Sequence, residues 1–289
     1  MDADLRYGLD RLPTDQADRE MSQLMDLSGR VAVVVGGGGP NLGRACVLRL
    51  AELGARVVIV GRSRSIDVNA DLLRTRFGAD VATYVADATD WDSIHDTAQR
   101  IWDEVGAVDV WVNNVGGSAG DGAFVSRTEA DVLAMIARNI NTAVYGSHAI
   151  LDHMIARGSG RIINISSDSG KIARAGLVLL CTTKAAVNAF TANLSREVGP
   201  AGVRVLAVCP GAMLGEERVQ ILRGTDTGTG DGGQRSADYA TNVRRTVGLT
   251  SLGRPSTPDE VATVVAFLSG DAASYVHGTA ISVAGGISA

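Results

Sequence analysis

The first residues that could do chemistry are glycines. In VVVGGGGPNLGRACVLRL, Gly36, Gly37, Gly38, Gly39 and Gly43 lie between a β-branched run and a stretch with apolar residues at helical spacing. Glycine lets a backbone turn tightly and approach an anion, and the N-terminus of the following helix favours negative charge. A strand, turn and helix of this kind suit a pyrophosphate, the plainer alternative being a glycine turn that binds nothing. In such a site the adenosine ribose is met about 20 residues further on, where an acidic residue accepts from the 2′-hydroxyl of NAD. Here Gly61 is followed by Arg62, with Arg64 close by. A guanidinium instead of a carboxylate fits a 2′-phosphate, so NADP(H) is the expected cofactor; the alternative is a solvated arginine at a strand end. The histidines (His95, His148, His153, His277) show no zinc spacing, and Cys46, Cys181 and Cys209 form no CxxC pair. No metal site is expected.

These residues need a sheet to position them. Apolar runs at 31–35, 56–60, 81–85, 108–112, 161–165, 203–208 and 279–283 alternate with helical spacing at 42–53, about 90–105, 127–156, 176–198 and 258–269. Fully apolar strands joined by helices predict an α/β, doubly wound, mainly parallel sheet of about seven strands with helices on both faces. Residues 1–27 read as a polar extension with a helical turn or two around 14–25, and 28–289 as one domain. The run GTDTGTGDGG at 224–233 is almost all Gly, Thr and Asp. It reads either as a solvated loop or, since it follows the strand ending at Val208, as part of a mobile lid around 212–247 beside the ligand crevice.

Composition narrows the function classes. The chain has 289 residues, 45% hydrophobic and 20% charged, enough for one large packed domain. A net charge of -5 argues against a nucleic-acid partner. No apolar run approaches the roughly 18–20 residues that span a bilayer, and MDADLRYGLDRLPTDQADRE has no apolar signal core. A cytoplasmic protein with reduced thiols and a small-molecule substrate is expected, without a membrane partner.

The ordered motifs from about Leu27 to Gly286 resemble the short-chain dehydrogenase/reductase family. Its TGxxxGxG turn is similar to residues 36–43, with Gly37 and Gly43 as first and last glycines, Asn41 at the middle one, and Leu42 within the turn. Asparagine tolerates left-handed backbone, so the turn is expected to survive the exchange. Asp87 in VADATD, with Ala88 beside it, resembles the segment that meets the adenine. Asn113-Asn114-Val115-Gly116 resembles the family's NNAG, beside the cofactor. Asn139 falls where a helix asparagine holds a proton-relay water, and Ser167 where a serine orients the substrate. Lys184 matches the lysine on the nicotinamide ribose, and Pro210-Gly211, with Met213 following, matches the turn over the nicotinamide. The resemblance implies a Rossmann-like, NADP(H)-dependent oxidoreductase. It also implies a homotetramer or dimer paired through the helices at 127–156 and 176–198.

One expected group is absent. The family carries its proton-transferring tyrosine four residues before the lysine, and Leu180 stands there, thirteen residues after Ser167. Leu177, seven residues before the lysine, closes the other position relatives use. Removing a positioned acid costs about 10²–10⁴ in rate. Three readings follow. Hydride transfer persists with a proton from water, substrate, Asp168, Cys181 or Thr182; or a non-redox cyclase, dehydratase or isomerase uses the scaffold; or the chain is an NADP-binding sensor. Tyr145 and Tyr239 read as packing residues.

Overall fold

The computed structural model describes residues 15–118, 122–215 and 247–288. Its strands are β1 (Val31–Val35), β2 (Arg56–Gly61), β3 (Val81–Val85), β4 (Val110–Asn113), β5 (Gly160–Ile165), β6 (Val203–Pro210) and β7 (Ala280–Val283). They form one sheet in the order β3-β2-β1-β4-β5-β6-β7, every pair parallel. The expected strand at 108–112 begins later, because pairing with β1 starts at Val110 against Ala32. Val108 is buried just ahead of the ladder.

The helices are α1 (Met21–Met25), α2 (Leu42–Glu52), α3 (Ile66–Phe77), α4 (Trp91–Glu104), α5 (Glu129–Ile136), α6 (Thr142–Arg157), α7 (Val178–Val198) and α8 (Pro258–Ser269). Helix α3 is not among the elements read from the sequence, since its apolar spacing is thin; it buries only Ile66, Asn69, Ala70 and Leu73. The long helix expected over 127–156 is two helices joined by a π-helical turn, Ala137–Asn141. Local signals set the ends. Asp90 accepts from the Ser93 N–H at 2.7 Å to start α4, and Thr257 with Glu260 forms a capping box at α8.

Alternation along the strands divides the core between the two faces. Ala32 and Val34 join α2 and α8 on one side, while Val31, Val33 and Val35 join Ile94, Ile101, Ile150 and Met154 from α4 and α6 on the other. Each fully buried aliphatic side chain contributes roughly 1.5–3 kcal/mol. Because β2 lies on one side of β1 and β4 on the other, the chain reverses its winding there. A crevice opens beyond the carboxyl ends of β1 and β4. The lid expected at 212–247 lies outside the described residues except for 212–215 and 247, as does all of 224–233.

Candidate active site

The turn after β1 is built by exclusion. A Cβ on Gly43 would run into the Gly36 carbonyl oxygen, and one on Gly38 would meet Ile66 Cγ2 at 2.6 Å. Gly36 itself has φ 85°. At Gly39 the only atom of the described residues within 4 Å of a Cβ position is the Gly36 oxygen at 3.9 Å, so the backbone is open to a ligand there. Asn41 has φ -103°, so left-handed tolerance is not what admits asparagine at this position. Gly37 faces Val34, Val47 and Ile59 and serves helix–strand packing. Of the glycines in this turn, Gly36, Gly38, Gly39 and Gly43 line the crevice. Gly36, Gly38 and Gly39 were legible only as members of the cluster.

Two cavities, of 720 and 460 Å³, share Gly36, Gly39, Pro40, Asn114 and Gly116 and so form one crevice. Gly61, Arg62, Ala86, Asp87, Ala88 and Val115 line the larger half. Ser63 and Ser65 line it too, and nothing in their spacing marked them. Burial opposes ionisation of Asp87, but hydrogen bonds from the Thr89 N–H at 2.9 Å and hydroxyl at 2.7 Å outweigh it. With the Arg62 charge, they hold its carboxyl below the usual range. Arg64 is 85% exposed and faces Asp67 at 3.9 Å.

Asn41, Leu42, Gly43, Ser167, Leu180, Lys184, Pro210, Gly211 and Met213 line the smaller half. Ser167 Oγ accepts from the Ser169 N–H at 3.1 Å and donates to the Pro210 carbonyl at 3.4 Å. Lys184 is buried and its Nζ donates to the Ile165 carbonyl at 2.8 Å. Burial pulls its ammonium from 10.5 down to about 8. It is the only ionisable side chain lining this half among the described residues. Leu180 lies one helical turn before it, and a recess of only 20 Å³ beside Leu180 is lined by Phe124, Met135 and Val178 together with Ser118, Arg127 and Asp131.

Asn139 is buried in the π-helical turn. Its Oδ1 accepts from the Gly117 N–H at 2.9 Å, and Nδ2 donates to the Gly117 and Met135 carbonyls at 3.1 and 3.2 Å. The amide therefore pins the loop after β4. Below it, Asn113 Nδ2 faces Asn164 Oδ1 at 2.8 Å and Ser147 Oγ at 3.0 Å, while Asn114 donates to the Gly36 carbonyl at 3.1 Å. These bonds tie β4, β5 and α6 to the glycine turn.

The candidate substitute acids are not brought to the crevice. Asp168 is buried against β7, where Oδ1 accepts from Ser282 at 3.2 Å, and neither Cys181 nor Thr182 lines the crevice. Tyr145 sets an edge against Trp91 at 5.1 Å, and Tyr239 lies outside the described residues. Among the described residues no group of three or more His, Cys, Asp or Glu could hold a metal, and no helix is long and apolar enough to cross a membrane.

The short chain dehydrogenase family model matches residues 30–223. Acetoacetyl-CoA reductase of Cupriavidus necator is 32% identical, over 90% of this chain and 99% of the relative. The 3-oxoacyl-[acyl-carrier-protein] reductase of Pseudomonas aeruginosa is 33% identical, over 91% and 99%. Among solved structures, gluconate 5-dehydrogenase from Burkholderia cenocepacia with NADP and tartrate superposes with TM-score 0.78 at 26% identity, covering 93% of this chain and 98% of that one. An NAD+-bound xylitol dehydrogenase gives 0.80 at 27%, covering 90% and 99%.

Proposed function

The chain belongs to the short-chain dehydrogenase/reductase family, and from that premise we propose an NADP(H)-dependent oxidoreductase in which Lys184, not a tyrosine, handles the proton. The observation that carries this reading is the crevice itself: glycine-floored, with Arg62 at one end and Ser167 with Lys184 at the other. The residues fit a dinucleotide. Gly36, Gly38 and Gly39 offer a backbone floor at the start of α2, where a pyrophosphate is favoured. Arg62 would take a 2′-phosphate, Asp87 and Ala88 the adenine edge, and Pro210, Gly211 and Met213 the nicotinamide end. When bound, NADP(H) supplies or accepts the hydride.

Ser167 would hold the substrate oxygen by a hydrogen bond. Leu180 stands where the family places its phenol and has no proton to give. The Lys184 ammonium is the remaining acid in this half of the crevice, and its pKa of about 8 keeps it protonated yet able to donate near neutral pH. Pairing into a dimer or tetramer goes with this reading, since Leu133 and Ile136 on α5 and Val178 on α7 are exposed apolar side chains.

The test is NADPH or NADH with a panel of ketones and activated alkenes, followed by nicotinamide absorbance and product mass together. Oxidation of NADPH matched by reduced product is the expected result. Product without net cofactor oxidation would move the assignment to a cyclase, dehydratase or isomerase, the reading that Leu180 favours if no reduction occurs. Absence of heat on calorimetric titration with NADPH would remove both.

A further inference from the structure

A second cavity, of 530 Å³, opens at the other end of the sheet, where β5 and β6 begin. The six residues of β5 put it roughly 20 Å from the crevice. Arg161 and Arg204 line it, with Ser159, Ser274 and His277. Cations crowd this edge. Asp271 takes Arg161 at 2.6 Å on one oxygen, and Arg30 at 2.7 Å and Arg19 at 3.1 Å on the other. Arg204 donates to the carbonyls of Ala273 and Gly270. Arg157 pairs with Asp109 at 3.2 Å, and Asp26 lies in the field of Arg30 and Arg19. Among the described residues, then, five guanidiniums act on three carboxylates.

Two further observations accompany this excess among the described residues. Arg161 Nε and Arg30 Nη1 are buried without an acceptor among the described residues, an uncommon state for donors inside a protein. Burial, with repulsion from Arg161 and Arg30, pulls Arg204 down to about 10. His277 adds no charge. Its Nδ1 accepts from the Val205 N–H at 3.2 Å and its Nε2 faces the Ser195 carbonyl at 2.8 Å, which is the pattern of a neutral ring.

We propose that the pocket lined by Arg161 and Arg204 binds a phosphate-type dianion, either free or as the terminal group of a small organic ester. The net excess of two positive charges among the described residues of this edge meets two negative ones, and guanidinium forks match the geometry of phosphate oxygens. The inference is independent of the chemistry in the crevice.

The test titrates the full chain with sodium phosphate and with glycerol 3-phosphate, ionic strength held constant with sodium chloride, by calorimetry and thermal melting. Saturable heat and a melting rise of about 3–6 °C at saturation are expected. Ser159→Glu, which puts a carboxylate into the cavity without touching Asp271, and Arg161→Gln should each weaken binding at least about tenfold, one charge-assisted bond being worth that much. Anion binding at the glycine turn would survive both changes. Equal affinity for the two probes supports a site for free phosphate, and tighter glycerol 3-phosphate supports an ester site. No saturable binding of either, or binding that Ser159→Glu leaves intact, overturns the proposal.

Discussion

Replacing Lys184 with methionine should remove activity while making the protein more stable at pH 7. The ammonium is buried and its pKa falls from 10.5 to about 8. Below pH 8 the folded chain carries a buried charge that the unfolded chain keeps in water. A shift of that size corresponds to about 3 kcal/mol. From pH 8 to 10.5 the unfolded chain holds a proton that the folded one has lost, so wild-type stability rises through that window and the penalty fades. Methionine fills similar space without the charge, but leaves the Ile165 carbonyl without the bond it accepts at 2.8 Å, a loss of about 1 kcal/mol. The net gain at pH 7 is about 2 kcal/mol, or roughly 4–8 °C in melting temperature. Reduction should meanwhile fall by about 10²–10⁴. Paired thermal melts of both proteins at pH 7 and pH 10, with NADPH oxidation at pH 7, make the comparison. A variant less stable than wild type at pH 7, or a stability difference unchanged between the two pH values, would refute the reasoning.

Three further outcomes follow from the same geometry. For wild type, kcat/KM for reduction should hold below pH 8 and drop about tenfold per unit above it as Lys184 deprotonates; a flat profile to pH 10 would exclude that acid. Leu180→Tyr restores a phenol one turn from Lys184 and should raise ketone reduction by about 10²–10⁴, read as steady-state kcat; no gain would mean that Ser167 and Lys184 do not form a working site. Arg62→Ala should raise the NADPH dissociation constant about 10- to 100-fold and leave NADH unchanged, by fluorescence titration, equal losses counting against a 2′-phosphate contact.

The fold was legible because its signals are dense. Five consecutive buried residues in β1, the glycines after it and the helical spacing of α2 each point to the same strand–turn–helix. Helix α3 was not read because a half-exposed helix with few core residues leaves little periodicity. The break at Ala137–Asn141 was hidden for a different reason: a π turn inserts no proline or glycine and changes only the hydrogen-bond register. For the site, residue types marked Lys184, Ser167 and Arg62, but not what each touches. That Asn139 bonds to the Gly117 backbone, and that Asp168 faces β7 instead of the crevice, depends on contacts between segments far apart in the chain. Asn41 was admitted on conformational grounds that its φ of -103° does not support.

The pairing of Leu180 with Lys184 has a consequence for how an acid can work here. A lysine beside a phenol need not be the donor, since it can act by stabilising the phenolate. Among the described residues the Lys184 ammonium donates to the Ile165 carbonyl, and an apolar leucine shares its cavity. That environment withholds solvent from the ammonium and pulls its pKa toward neutrality, which is what direct donation requires. The proposed role for Lys184 therefore rests on its burial, which alone lowers its pKa. If Leu180→Tyr restores ketone reduction, the pH midpoint of kcat/KM should move away from about 8, because the titrating group becomes the phenol coupled to Lys184. A midpoint that stays where it was, with rates restored, would show that the lysine never donated.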